Sequence, residues 1–167
     1  MRVLVTTASK HLATDEIGRR IAATLEGAGL SVSTIAPEAV ISIDGFDAVI
    51  VGSGVYAGHW VASARAFVER ERDVLRTKRV WLFSSGPVGD PAKPLEDPID
   101  AAPMMAASGA IEHRTFAGRL NKDSLGFGEK LIIAAVRAPD GDFRDWAAID
   151  AWAQEIATAL IAEPATV

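Results

Sequence analysis

Apolar residues recur along the chain in two rhythms that alternate. Arg2–Thr7 (RVLVTT) is a short β-branched run that reads as a buried strand. Ile17, Ile21 and Leu25, continued by Ala28, then fall on one face of a helix over Thr14–Glu26, a stripe suited to lie on a sheet. Thr14 is its N-cap candidate, Asp15 and Glu16 put acid in its first turn, and Gly27 and Gly29 supply its stop. Leu30–Ile35 alternates polar and apolar residues as an edge strand does, whereas Phe46–Val51 is continuously apolar, as a strand covered on both faces must be. A helix over Trp60–Leu75 and a strand over Lys78–Phe83 follow. Asp97–Ser108 reads as a helix interrupted by Pro98 and Pro103, Ile111–Phe116 as a strand, and Leu125–Arg137 and Trp146–Ala162 as closing helices.

Five strands joined by helical crossovers imply an α/β fold with a parallel sheet and right-handed connections. The most polar strand, 30–35, belongs at an edge, which gives the order 2-1-3-4-5 and a switch point between the first and third strands. The loops after the first, third and fourth strands then meet at one rim of the sheet.

Composition narrows the function. At 167 residues with 49% hydrophobic content, the chain suits one layered domain over 1–167. A net charge of −5 argues against a nucleic-acid binder and against purely electrostatic docking on an anionic membrane. The absence of cysteine excludes disulfides, thiolate metal ligands and cysteine nucleophiles. The N-terminus has no signal-peptide pattern, and the longest clean apolar run, Leu131–Val136, is far too short for a transmembrane segment, so a cytoplasmic location is expected.

The three rim loops carry the candidate chemistry. The first is Ser9, Lys10, His11, Leu12, Ala13 and Thr14, where a strand passes through a small polar loop into a helix. Such a junction aims backbone N–H groups and a helix N-terminus at one point and suits a phosphate; it is equally the form of an ordinary capped turn. The second loop runs from Gly52 through Ser53, Gly54, Val55, Tyr56, Ala57 and Gly58 to His59 and Trp60. Its glycines allow close approach of the backbone to a flat ring, and Tyr56 offers a stacking face; Trp60 reads as a core anchor and His59 as a helix-start residue. The third, Ser84, Ser85, Gly86, Pro87, Val88 and Gly89, can present amides and hydroxyls to ring heteroatoms.

The segments ASKHLATDEI, VIVGSGVYAGHWVASARAFVER and WLFSSGPVGDP resemble the flavodoxin-like family, and most of all its flavodoxin-domain branch that includes menaquinone-dependent protoporphyrinogen oxidases. The resemblance implies a flavodoxin-like three-layer sandwich and noncovalently bound FMN. By position, Ser9 to Thr14 would hold the phosphate, while Ser53 to Gly58 and Ser84 to Gly89 would flank the isoalloxazine ring. Two departures stand out. Family loops usually carry glycine where this chain has Leu12, which would weaken FMN, redirect its phosphate or point outward. The 84–89 loop has no aromatic residue, so Tyr56 alone is placed to stack on a ring.

The resemblance implies electron transfer with a redox partner protein or a small quinone or porphyrin substrate. The competing readings are a protoporphyrinogen or quinone oxidoreductase, and a degenerate binding module that has lost FMN or uses a deazaflavin. Other chemistry is poorly supported. No HExxH or paired-histidine spacing exists for a metal, although His11 and His59 lie on loops that should meet; His113 reads as a surface or edge residue. No Gly-x-Ser-x-Gly elbow marks a hydrolase. Asp140, Asp142, Asp145 and Asp150 read as turn and helix-start acids. The helix at 125–137 joins Leu125, Phe127, Leu131, Ile132, Ile133 and Val136 to Lys122, Lys130 and Arg137 at its margins. Packing on the sheet or against a second copy in a homodimer is the commoner arrangement for such a helix. A surface for a quinone, a porphyrin or peripheral membrane contact is the alternative.

Overall fold

A computed structural model describes residues 1–86, 96–120, 126–136 and 141–162 of the chain. Five parallel strands form the sheet: β1 (Arg2–Ala8), β2 (Ser31–Thr34), β3 (Ala48–Tyr56), β5 (Arg79–Ser85) and β6 (Glu112–Phe116). Their order is β2-β1-β3-β5-β6. This is the arrangement read from the sequence, with the polar strand at the edge; the labels differ because a two-residue strand, β4 (His59–Trp60), intervenes and pairs antiparallel with the end of β3.

Alternation along the strands sends side chains into two cores, one on each face. Val3, Val5, Ile50 and Phe83 meet Ile17, Ile21 and Leu25 of α1 (Ala13–Gly27) and Trp152 and Ile156 of α6 (Trp146–Ala162). On the opposite face Leu4, Val49, Val51 and Leu82 meet Phe67 and Val68 of α2 (Ala62–Arg70), Leu75 of α3 (Arg72–Leu75) and Met104 of α4 (Ala101–Ser108). Helices therefore cover both faces of the sheet, as its near-continuous apolar central strands require. The layers form the three-layer sandwich of the flavodoxin-like fold.

Several boundaries differ from the sequence reading, each for a local reason. The 60–75 helix is two helices that meet at Glu71, whose φ of −93° and ψ of 7° lie outside the helical range. It starts only at Ala62 because His59 and Trp60 belong to the β3–β4 hairpin. The 97–108 helix begins at Ala101; Pro103 is its third residue, where the missing N–H has no helical acceptor to lose. The third strand starts at Ala48, not Phe46, and runs past Val51 to Tyr56. The second strand spans only Ser31–Thr34 of the expected 30–35. Beyond β6, β7 (Arg119–Leu120) pairs antiparallel with β8 (Gly141–Asp142), a ribbon with no hydrophobic pattern to announce it. The helix expected at 125–137 is α5 (Phe127–Val136); Lys122, Leu125 and Arg137 lie outside the described residues, as does Asp140.

Candidate functional site

Ser9, Lys10, His11 and Leu12 connect β1 to α1 at the carboxyl edge of the sheet. Leu12 stands at the N-cap position with φ 65°, the left-handed conformation glycine adopts freely, and its side chain is 59% exposed. The departure from glycine is therefore accommodated: the backbone turns as a glycine would turn it and the side chain points to solvent. Thr14 is not the cap. It is the second residue of α1, buried at 2% exposure, and makes no side-chain capping bond. Among the described residues, no acceptor faces the backbone N–H of Ala13, Thr14 or Asp15, the groups a first helical turn leaves unpaired.

The second loop is mostly strand. Ser53, Gly54, Val55 and Tyr56 end β3, and only Ala57 and Gly58 turn the chain, at φ 51° and 82°. Positive φ at both central residues marks the primed hairpin turn that matches strand twist. The hairpin folds Tyr56 back over the first loop. The Lys10 N–H donates to the Tyr56 hydroxyl at 3.1 Å, and the Lys10 ammonium sits 4.5 Å from the centre of its ring. His11 packs edge-on to the same ring at 6.3 Å. Burial raises the Tyr56 phenol above its ordinary pKa, so the ring presents a neutral hydroxyl. Gly54 allows this closure: a Cβ there would stand 3.0 Å from the Tyr56 ring and 3.1 Å from the Thr14 hydroxyl.

The third loop contributes less than its sequence suggests. Ser84 and Ser85 are the buried end of β5. The Ser84 hydroxyl accepts from the Trp60 indole N–H at 2.8 Å and lies 2.8 Å from His113 Nε2, so it is engaged inside the fold. Gly86 follows at φ 123° and packs beside Val55, where an added Cβ would stand 3.6 Å from the Val55 Cβ. Pro87, Val88 and Gly89 lie outside the described residues. His113 lies on the edge strand β6, as one half of its reading had it, but not at the surface. Its side chain is 4% exposed, its Nδ1 stands 3.3 Å from Asp97, and burial lowers its pKa against the partial opposition of Asp97. Strand alternation explains this: Phe116 points into the α1–α6 core, which turns His113 toward Trp60 on the opposite face. Trp60 is the core anchor expected of it, and its backbone N–H donates to Asp100 at 2.8 Å. His59 turns to Asp100 at 3.2 Å, whereas His11 turns to Tyr56 and Glu129; no contact joins the two histidines among the described residues.

The chain belongs to the flavodoxin domain family. The family model matches residues 4–146, most of the chain. No curated protein matches the sequence. Among solved structures, a flavodoxin from Streptococcus pneumoniae superposes with a TM-score of 0.63 at 17% identity, covering 96% of this chain and 100% of that one. A flavodoxin from the domain Archaea gives 0.62 at 17% identity, over 95% and 98% of the two chains. Rubredoxin oxygen:oxidoreductase from Desulfovibrio gigas gives 0.64 at 16% identity; it matches 99% of this chain, which spans 37% of that larger one. These likenesses are of fold.

In this flavodoxin domain the first loop is braced by residues that sequence reasoning missed. Arg119 of β7 reaches Glu16 at 3.2 Å and the His11 carbonyl at 3.5 Å. Arg144, just beyond β8, binds Glu16, the Ala13 carbonyl and both oxygens of Asp142. Arg144 holds the carboxyls of Glu16 and Asp142 below their ordinary pKa. Asp15 accepts the Thr7 hydroxyl at 2.7 Å. Both first-turn acids are thus tied to partners of their own. The available signal was the Asp142-x-Arg144 spacing, a carboxylate and a guanidinium two residues apart on one short strand and its exit.

The donor set fits a phosphorylated ring: three unpaired first-turn amides, Lys10, the Ser9 hydroxyl and the Tyr56 face. A separate cleft of about 340 Å³ opens on the β2 side of the loop, between Thr7, Ser9, Arg19, Thr34 and Ser63. It shares only Ser9 with the predicted site residues and none from the β3 or β5 ends. No group of three or more candidate metal ligands occurs among the described residues, and none of their helices is long and apolar enough to cross a membrane.

Proposed function

We propose that this is an FMN-binding redox domain, one unit over residues 1–167, that relays electrons between partners. The observation that carries the reading is the convergence of the Ala13, Thr14 and Asp15 amides with Lys10 and Tyr56 at the β1–β3 switch point. Family membership and the flavodoxin neighbours support it. The bound flavin would supply one- and two-electron chemistry. The chain's own residues bind and orient. The first-turn amides and Lys10 hold the phosphate, Ser9 adds a hydroxyl, and Tyr56 offers a neutral ring face. The backbone of Val55 and Tyr56, at the half-buried end of β3, would flank the ring. No acid or base side chain is demanded of the protein.

Titrating the apoprotein with FMN tests this. Flavin fluorescence should be quenched to a one-to-one endpoint, and Tyr56→Ala should weaken the binding and shift the reduction potential. A preparation that neither turns yellow nor quenches FMN would refute the reading. Binding of a deazaflavin in its place would move the assignment to that cofactor.

A second reading is favoured by α5. Phe127 is 81% and Leu131 58% exposed, and Glu129 of the same helix touches the first loop. An apolar surface beside the site suits a quinone or porphyrin as direct reaction partner. Turnover of protoporphyrinogen with a quinone acceptor would establish the oxidoreductase; an FMN-loaded protein that shows none acts as a carrier to a redox partner protein.

A further inference from the structure

Glu129 lies in the first turn of α5, yet its carboxylate reaches into the β1–α1 loop. One oxygen is 3.8 Å from Lys10 Nζ, the other 3.3 Å from His11 Nε2, and the latter also accepts the Gly126 N–H at 3.1 Å. The two acids of α1 itself, Asp15 and Glu16, are engaged elsewhere. Among the described residues, Glu129 is therefore the carboxylate that meets Lys10 and the His11 ring. On the same helix Phe127 and Leu131 are exposed.

We propose that Glu129 is an internal anion that sets which ligands the first loop accepts, giving up Lys10 and His11 only to a phosphate tethered through a ring. This rests on the reading of the loop as a phosphate site. A carboxylate held on the same chain competes at an effective concentration of roughly millimolar or more. Free phosphate lacks that advantage. A phosphate whose attached ring is held by Tyr56 gains the same advantage and can take over Lys10. Both ligands then lose the same factor, which leaves the weaker free anion unbound at concentrations where the ring-held phosphate still binds, and binding frees α5 from one of its anchors.

Glu129→Gln removes the charge while keeping an oxygen for the Gly126 N–H. The apoproteins are titrated with FMN and with riboflavin by fluorescence quenching, and with inorganic phosphate by phosphorus NMR. Since exposed ion pairs are weak, FMN affinity should rise by about two- to five-fold in E129Q. Riboflavin affinity should stay unchanged, and phosphate should bind E129Q more tightly than wild type. Hydrogen exchange at 126–131 in the wild-type protein should quicken when FMN binds; this second measurement decides the matter if circular dichroism shows E129Q unfolded. An equal FMN-to-riboflavin ratio in both proteins, with exchange in α5 unaltered by FMN, overturns the proposal and leaves the FMN reading standing. If neither protein binds a flavin, the FMN reading falls. The phosphate titration alone then decides the role of Glu129: tighter binding by E129Q supports it, and equal or absent binding overturns it.

Discussion

Replacing Gly52 with alanine should destabilise the protein more than its modest volume suggests. A Cβ at this position would stand 2.1, 2.3 and 2.7 Å from three atoms of the Phe83 ring on the neighbouring strand. The nearest of these is about 1.3 Å inside the 3.4 Å at which ordinary contact begins. The ring has no free direction, because it is fully buried and packed against Phe116 and Trp152, each with ring centroids 6.1 Å away. Either the aromatic cluster or the β3–β5 pairing must yield. Overpacking of this kind costs about 1–3 kcal/mol, and the three-atom collision places Gly52→Ala at the upper end. For a chain of this length that corresponds to a fall in Tm of about 5–10 °C. Thermal melts and urea titration of wild type, Gly52→Ala, Phe83→Leu and the double variant form the assay. The leucine alone should cost about 1–2 kcal/mol for the smaller side chain. The double variant should cost clearly less than the two changes combined, since each relieves the other. A Gly52→Ala protein within about 0.5 kcal/mol of wild type, or a strictly additive double variant, would refute the packing argument.

Three other outcomes are expected. Leu12→Gly should stabilise the protein by about 0.5–1 kcal/mol, because the left-handed strain on leucine exceeds the added freedom of the unfolded chain; FMN affinity should change less than about two-fold, since an exposed side chain is lost. Urea titrations would expose the opposite sign. Burial lowers the His113 pKa, so below about pH 6.5 the unfolded chain takes up protons that the native state refuses. Stability should then decline as pH falls from 7 to 5, and His113→Gln should flatten that slope. Glu16 behaves as a carboxylate held low by Arg144: its contribution is present above the ordinary glutamate range and is lost as pH falls through its depressed pKa. Glu16→Gln should remove part of the acid-side loss seen in denaturation below the ordinary glutamate range, in a window separate from that of His113.

Much of the fold was legible because its signals are local. The stripe of Ile17, Ile21 and Leu25, the apolar run of β3 and the polar pattern of β2 fix layers and strand order without knowledge of any distant contact. The hairpin at Tyr56–His59 was not legible, since its turn uses Ala57-Gly58 where asparagine or aspartate before glycine is the usual mark. The glycines of that segment also divide in role. Gly58 serves a positive φ, whereas Gly52 and Gly54 make room for Phe83 and Tyr56, and only the partner strand and loop reveal this. Ser84 turns inward because β5 runs two residues past the expected end at Phe83, so its hydroxyl meets the Trp60 indole inside the fold. Arg119, Arg144 and Glu129 lie more than a hundred residues from the loop they touch, and no spacing rule connects them to it.

The acids at the start of α1 make the distant arginines necessary. Asp15 and Glu16 favour the helix through its dipole, but unpaired they would oppose an anion bound at the same amides. Thr7 draws Asp15 back toward the strand, and Arg119 and Arg144 take Glu16 while also binding the carbonyls of His11 and Ala13. The helix keeps its favourable acids, the loop carbonyls turn away from the crevice, and the N–H groups are left facing it. The β7–β8 ribbon thus has a physical role despite its two-residue strands: it delivers one guanidinium from each side of its pairing to the back of the loop. A helix start that is acidic in sequence becomes a donor surface in the folded protein because its negative charges are neutralised from behind.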